Sequence, residues 1–290
     1  AMRFKNNING STKVLCIIGH PIEHSMSPVM HNAALQELGL DFLYIAFDVN
    51  PNQLREAISG LKALGIKGFN VTIPHKERII RYLDKIDPLA KNIGAINVVK
   101  NEDGFLIGRN TDALGAKKGL LDAGCEIKGK NILILGAGGT AKAISYILAE
   151  DANKIIIANR TEKKAVELAK DLKKIAKVNV EGKINSETIL KSEIAKAEIL
   201  INTTPIGMYP KINQSLVPKD LLHSNLFVFD VIYNPLETQL IKDAKEYGCK
   251  TLSGLDMLVN QGVLAFEWWT NKKPNANLMK RKVIECLEMK

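Results

Sequence analysis

The chain is short of cysteine and arginine, and each shortage excludes something. Its four cysteines (Cys16, Cys125, Cys249, Cys286) lie far apart, with no CxxC pair and no histidine at metal-ligand spacing. Neither a metal site nor a redox pair is indicated, and the thiols read as reduced and mostly buried. No stretch approaches the ~20 uninterrupted apolar residues of a membrane span. The formal charge is +9, from 40 basic and 31 acidic residues, which suits either nucleic acid or an anionic small molecule. Only seven of the basic residues are arginines, the residues that phosphate and base-edge forks favour, and the lysines are scattered, which points away from nucleic acid. The first residues hold no apolar signal core or cleavage site, and Ala1 ahead of Met2 reads as a residue left by cloning, so a cytoplasmic location is expected.

What is present is globular. Hydrophobic residues make up 46% and charged residues 24% of 290, a length that exceeds one typical core and suggests two domains. Apolar β-branched runs alternate with amphipathic stretches nearly to the end, the pattern of a parallel α/β protein. Strands are expected at 13–19, 41–49, 68–73 and 97–100, with helices at 29–39, 54–65 and 75–84. A boundary is expected within 112–130, followed by strands at 131–136, 155–158, 199–202 and 226–231. The closing stretches 255–268 and 278–289 read as helices rich in large apolar residues, able to fold back on the first half.

One motif states its chemistry locally. The run NILILG enters Gly136-Ala137-Gly138-Gly139-Thr140-Ala141, a GxGxxA turn, and then an apolar-periodic helix. Gly136 permits the tight turn, Gly138 lets the backbone approach a pyrophosphate, Ala141 allows close helix–sheet packing, and free N–H groups at the helix start attract phosphate. In NAD-binding units the second strand ends in an acid that bonds the ribose 2′-OH. Here it ends in Asn159-Arg160-Thr161, with Lys164 a turn later, which offers a guanidinium fork, a hydroxyl and an amine to a phosphate dianion. NADP is the preferred cofactor. The alternative is that Arg160 and Lys164 are solvated helix-start residues, a placement the helix dipole mildly disfavours unless an anion is bound.

Polar clusters close the first-half strands: Gly19 to Pro28 with His31-Asn32; Gly68 to Lys76; Gly94-Ala95-Ile96-Asn97; and Gly108-Arg109-Asn110-Thr111-Asp112. The second half adds Asn202 to Met208, Asp230 to Pro235, and Gly254-Leu255-Asp256-Met257 with Gln261. Taken with the glycine turn, these motifs resemble the shikimate dehydrogenase family along essentially the whole chain. The resemblance implies NADPH-dependent, reversible reduction of 3-dehydroshikimate to shikimate in aromatic amino acid (chorismate) biosynthesis. It implies a two-domain α/β fold: an N-terminal substrate domain at 1–112, completed by C-terminal helices at 255–290, and a Rossmann-type NADP domain at 113–254.

Carried over by motif, the resemblance makes Lys76 and Asp112 the catalytic pair. Ser25 and Ser27 would hold the substrate carboxylate, with Asn70, Thr72, Asn97, Tyr233 and Gln261 also on the substrate. Gly136, Ala137, Gly138, Gly139, Thr140, Asn159, Arg160, Thr161, Lys164, Val231, Gly254 and Met257 would hold the cofactor, and no metal is implied. The residues suit these roles, because an alkoxide left by hydride transfer needs a proton and an ammonium beside a carboxylate can stabilise that charge. Plainer readings stay open: helix N-capping for Ser25, Ser27 and Asp112, and a solvated surface position for Lys76. The histidines His20, His24, His31 and His75 are not spaced as metal ligands. Ala113 stands where relatives often carry glycine and Val98 where threonine is usual, which bears on specificity more than on reaction type. Alternatives are an NAD-dependent quinate/shikimate dehydrogenase and a non-catalytic ligand-binding relative. The expected partner is a small-molecule substrate, without nucleic acid or membrane, and a homodimer is left open.

Overall fold

The computed structural model describes residues 8–289, so Ala1, Met2 and Arg3 lie outside the described residues. The chain divides into two compact units, Ala1–Thr111 with Val259–Lys290, and Asp112–Leu258. In the first unit the elements run β1 (Lys13–Gly19), α1 (Ser27–Glu37), β2 (Phe42–Asp48), α2 (Leu54–Ala63), β3 (Gly68–Val71), β4 (Lys85–Ile86), α3 (Pro88–Ile93), β5 (Val98–Glu102) and β6 (Phe105–Arg109). The second unit supplies α4 (Asp112–Asp122), β7 (Asn131–Leu135), α5 (Gly139–Leu148), β8 (Lys154–Asn159), α6 (Glu162–Ile175), β9 (Asn179–Ile184), α7 (Glu187–Ile194), β10 (Ile199–Asn202), β11 (Phe227–Asp230), α8 (Gln239–Glu246) and β12 (Lys250–Leu252). Then come α9 (Gly254–Thr270), whose residues from Val259 belong to the first unit, and α10 (Ala276–Glu288), which packs on α1. Asn275 starts α10 by accepting from the Leu278 N–H, and its own amide donates to Glu37 at the end of α1.

The first sheet has strand order β2-β1-β3-β5-β6-β4 and is not wholly parallel, because β5 runs antiparallel to both β3 and β6. The reason is a two-residue hairpin. Asp103 and Gly104, both at positive φ (51° and 92°), join β5 to β6, and Asp-Gly is the pair such a turn prefers. A helix over 75–84 does not form; a single 3-10 stretch, Arg78–Tyr82, stands in its place, burying only Ile79. Leu83 is already extended and the Asp84 N–H bonds to the Leu106 carbonyl, so the chain is committed to β4 before an α-helix could gain an apolar face. The second sheet is parallel throughout in the described strands, with order β12-β11-β10-β7-β8-β9. Numbered within the unit this is 3-2-1-4-5-6, the doubly wound dinucleotide-binding order, reversing between β7 and β10. Its strands are near-continuous Ile/Leu/Val runs because helices cover both faces.

An aromatic cluster fills the space under α1 and α9. His31 is fully buried, stacks on Tyr44 with ring centroids 4.5 Å apart, and faces Phe266 and Trp269, whose indole N–H donates to the Val99 carbonyl. Neither His31 nitrogen has a hydrogen-bond partner, and burial pushes the imidazole down from 6.5 to about 3. A base depressed on folding contributes stability that is complete above about pH 6.5 and is lost as pH falls from there towards about 3. Burial lowers His75 as well, in the same sense. His31→Phe keeps the stack and removes one titration. In urea unfolding, its loss of stability between pH 7 and pH 5 should be smaller than the parent's by about 2 kcal/mol. Parallel pH profiles for the two proteins would contradict a neutral, uncompensated His31.

Candidate active site

Strand direction gathers the first unit's polar clusters on one sheet edge. Ile18 pairs with Val71, Asn70 with Val98, and Val98 with Arg109. Because β5 is antiparallel, its beginning lies beside the ends of β3 and β6, and the loops after β1, β3 and β6 meet the segment before β5. The segments are stitched together by the backbone: Thr72 N–H to the Ile18 carbonyl, His20 N–H to Ile73, and Ile96 N–H to Lys76 at 2.8 Å.

Side chains finish the frame. Asn97, 3% exposed, accepts from the Thr111 N–H at 2.7 Å and donates through Nδ2 to Thr111 Oγ1 at 2.9 Å and Gln261 Oε1 at 3.3 Å. Its carbonyl accepts from Asn70 Nδ2 at 3.0 Å as well as from the Val71 N–H. Tyr44 Oη donates to Asn70 Oδ1 at 2.6 Å. Asn70, Asn97 and Gln261 are thus brought together directly. Thr72 and the half-buried Lys76 join them through the backbone. Asp112, 6% exposed, follows Thr111 in sequence and begins α4. Ser25 is on the loop after β1 and Ser27 is the first residue of α1; Ser25 Oγ accepts from the Ser27 N–H at 3.3 Å. Helix α1 begins at Ser27 rather than at Pro28; its N-cap position is Met26, with no side-chain cap, so neither serine is consumed by N-capping there. His75 donates from Nε2 to the Val49 carbonyl at 2.7 Å, and His20 pairs with Asp48 at 2.9 Å. Both are structural contacts, and no His/Cys/Asp/Glu group among the described residues could hold a metal.

In the second unit the loops after β7, β8, β10 and β11 lie on one edge, fixed by pairing of Leu135 with Ala158 and with Asn202, and of Asn202 with Asp230. Gly136 has φ +106°, and a Cβ there would stand 2.4 Å from Thr203 Oγ1. Thr203 is held against β7 by bonding to the Leu135 carbonyl, so only glycine fits the turn. At Gly138 a Cβ would meet nothing within 4 Å, leaving room for a ligand to come against bare backbone. Gly138 is also the N-cap of α5 and brings no side-chain cap. Ala141 is fully buried against the sheet. Asn159 is neutral and donates to the Thr161 carbonyl at 3.0 Å. Arg160 and Lys164 are exposed, without an ion-pair partner among the described residues, beside the start of α6. A glycine turn with open space, an uncapped helix start and two uncompensated cations fit a dinucleotide bearing an extra phosphate.

Two residues that the sequence reading quoted only within motifs, without a role of their own, hold this edge together. Asp230 is wholly buried, and burial raises its carboxyl to about 6 against the lowering effect of bonds from Thr238 Oγ1, the Ile232 N–H and Asn202 Nδ2. Asn202 Oδ1 in turn accepts from both the N–H and Oγ1 of Thr204. Gly254 permits α9 to start against the next loop: a Cβ there would lie 2.0 Å from the Val231 carbonyl oxygen. Val231 and Met257 pack on the unit's core, and the half-buried Tyr233 follows Ile232 in that loop. The signal for Asp230 and Asn202 was present, since a strand ending in a buried acid or amide must find partners.

Comparison with known proteins agrees in both units. The family profile "Shikimate dehydrogenase substrate binding domain" matches residues 17–99, "Shikimate / quinate 5-dehydrogenase" residues 119–236, and "Shikimate 5'-dehydrogenase C-terminal domain" residues 254–284. A curated relative, shikimate dehydrogenase (NADP(+)) of Methanocaldococcus jannaschii, is 50% identical over 281 residues, 96% of this chain and 98% of its own. A crystal structure of a shikimate dehydrogenase in complex with NADP+ is 48% identical with a TM-score of 0.90, covering 97% of this chain and 98% of that one. That of shikimate 5-dehydrogenase from Listeria monocytogenes, in complex with shikimate and NAD, is 39% identical with a TM-score of 0.86, covering 95% and 98%. No helix of the described residues is long and apolar enough to cross a membrane. With three family profiles falling in order along the chain and half its residues identical to a relative of equal length, the chain belongs to the shikimate dehydrogenase family.

Proposed function

We propose that the protein interconverts 3-dehydroshikimate and shikimate using NADP(H). The first unit binds the acid and the second the dinucleotide. The observation that carries the reading is the hydrogen-bonded frame in which the Lys76 carbonyl is tied to Ile96, Asn97 holds Thr111, and Asp112 follows. It sets an ammonium, two carboxamides and a threonine on one edge, a donor-rich surface suited to a polyhydroxylated carboxylic acid.

Ser25 and Ser27 receive the substrate carboxylate, supported by the absence of a side-chain cap at the start of α1. Asn70, Thr72, Asn97, Tyr233 and Gln261 bind and orient the ring. NADPH, when bound, supplies the hydride to the ketone carbon. Lys76 stabilises the negative charge that develops on the substrate oxygen and delivers the proton that completes the alcohol; in the oxidative direction it takes that proton back. Asp112 is the second member of the catalytic pair. In the second unit Gly136 to Thr140 would hold the pyrophosphate and Asn159 to Thr161 with Lys164 the 2′-phosphate, and Val231, Gly254 and Met257 would also contact the cofactor. A second reading, an NAD-linked enzyme, finds support in the Listeria relative's complex with NAD. The neutral Asn159 and an Arg160 without an ion-pair partner among the described residues favour NADP, because the second strand ends in no acid and the guanidinium suits a phosphate.

An absorbance assay of NADPH oxidation with 3-dehydroshikimate, repeated with NADH and with 3-dehydroquinate, tests reaction, cofactor and substrate together. Activity with the first pair well above the others is expected; none with any pair would leave a non-catalytic binding protein. Lys76→Ala should lower kcat by ~10²-fold or more while circular dichroism stays that of the parent, because the lost charge acts mainly as the alkoxide develops. Parent turnover in that variant would remove Lys76 from catalysis. Arg160→Ala should weaken NADP+ binding by roughly thirtyfold, about 2 kcal/mol, the low end for a truncated charge pair because the residue is exposed. NAD+ binding should hardly change, and an unaltered NADP+ to NAD+ affinity ratio by fluorescence titration would make Arg160 a solvated helix-start residue.

A further inference from the structure

Tyr44 is not part of any motif that points to the reaction, yet it is mounted with unusual completeness for a residue in the middle of an edge strand. Both its backbone polar groups are taken by one side chain on α1: Asn32 Oδ1 accepts from the Tyr44 N–H at 2.9 Å and Asn32 Nδ2 donates to the Tyr44 carbonyl at 2.7 Å. Its ring, 1% exposed, is stacked by His31 and flanked by Trp269 at 6.1 Å. The phenol of this fixed ring meets Asn70 Oδ1 at 2.6 Å.

That contact has a consequence for Asn70. A carboxamide can be turned over at little steric cost, exchanging an acceptor for two donors. The Asn97 carbonyl can only accept, so the amide end facing it is Nδ2, and the Tyr44 hydroxyl donates to Oδ1 at the other end. Nδ2 is then directed at the Asn97 carbonyl with one hydrogen, and its second hydrogen is left for a ligand. We propose that Tyr44 is a positioning residue that anchors Oδ1 of the Asn70 carboxamide and, together with the Asn97 carbonyl, holds it so that a hydrogen-bond donor and not an acceptor meets a substrate oxygen. The inference rests on the reading of Asn70 as a substrate-binding residue. Tyr44 itself lies behind Asn70, in the cluster beneath α1, and acts through it.

A double-mutant cycle on Tyr44 and Asn70 separates this from a packing role. Tyr44→Phe keeps the ring, the stack and the backbone clamp, and removes the hydroxyl alone. It should raise KM for shikimate by about tenfold, the effect of one hydrogen bond to a substrate oxygen lost or misdirected, with a smaller change in kcat and none in KM for NADP+. In an Asn70→Ala background the same substitution should leave KM for shikimate unaltered. A structural role would move both KM values and the melting temperature together. Should Asn70→Ala raise KM while Tyr44→Phe does not, or should the two effects multiply in the double variant, the positioning role is overturned and the site reading stands. Should Asn70→Ala leave KM for shikimate unaltered, the site reading fails and the inference with it. If Tyr44→Phe does not fold, 3-fluorotyrosine placed at position 44 gives the second readout. Its fluorine resonance should shift on adding shikimate and hold still with NADP+ alone, and a resonance indifferent to shikimate would overturn the proposal.

Discussion

A carboxamide buried at the end of a strand must have its donors and acceptors met, or it costs a few kcal/mol, and the way Asn97 meets that demand organises the first unit. One side chain holds Thr111 from two directions and reaches Gln261 on α9, while its carbonyl takes the Asn70 amide. Segments far apart in sequence, after β3, before β5, after β6 and in the C-terminal helices, are thereby locked to one another within the first unit. Such a network is rigid because each bond fixes the polarity of the next, and rigidity is what a site needs if it is to tell one pattern of hydroxyl groups from another.

The second unit solves the same problem with a carboxylate. Asp230 at the end of β11 is buried and fully used by Thr238, Ile232 and Asn202, and Asn202 at the end of β10 spends its own oxygen on Thr204. The loops beside the glycine turn are therefore held from behind, and Thr203 closes against Gly136 where the strand order reverses. That is the position at which doubly wound sheets bind their ligands. The backbone at Gly138 is left clear, and Arg160 and Lys164 stand exposed outside the turn.

Local chemistry could be read in the sequence; polarity between distant segments could not. The turn from Gly136 to Ala141 carries its meaning in consecutive residues, and Gly136 has the positive φ and Ala141 the close packing expected of them. The C-terminal helices were legible from their large apolar residues, which α1 receives. The direction of β5 was not read, although Asp103-Gly104 between two short apolar runs is a hairpin signal. The stretch 75–84 has helical composition, but β4 claims its end. Neither Tyr44 nor Asp230 could be given a role from the sequence, because a buried polar group acquires its function from partners that only the fold supplies.

The central claim, that the Asn97 frame is the floor on which the substrate rests, is tested most directly by a crystal structure of the protein with shikimate. The account predicts the acid on the edge formed by the ends of β3 and β6, within hydrogen-bond distance of Asn70 Nδ2 and Lys76 Nζ, with its carboxylate at Ser25 and Ser27. Shikimate bound elsewhere, with these side chains untouched, would contradict it.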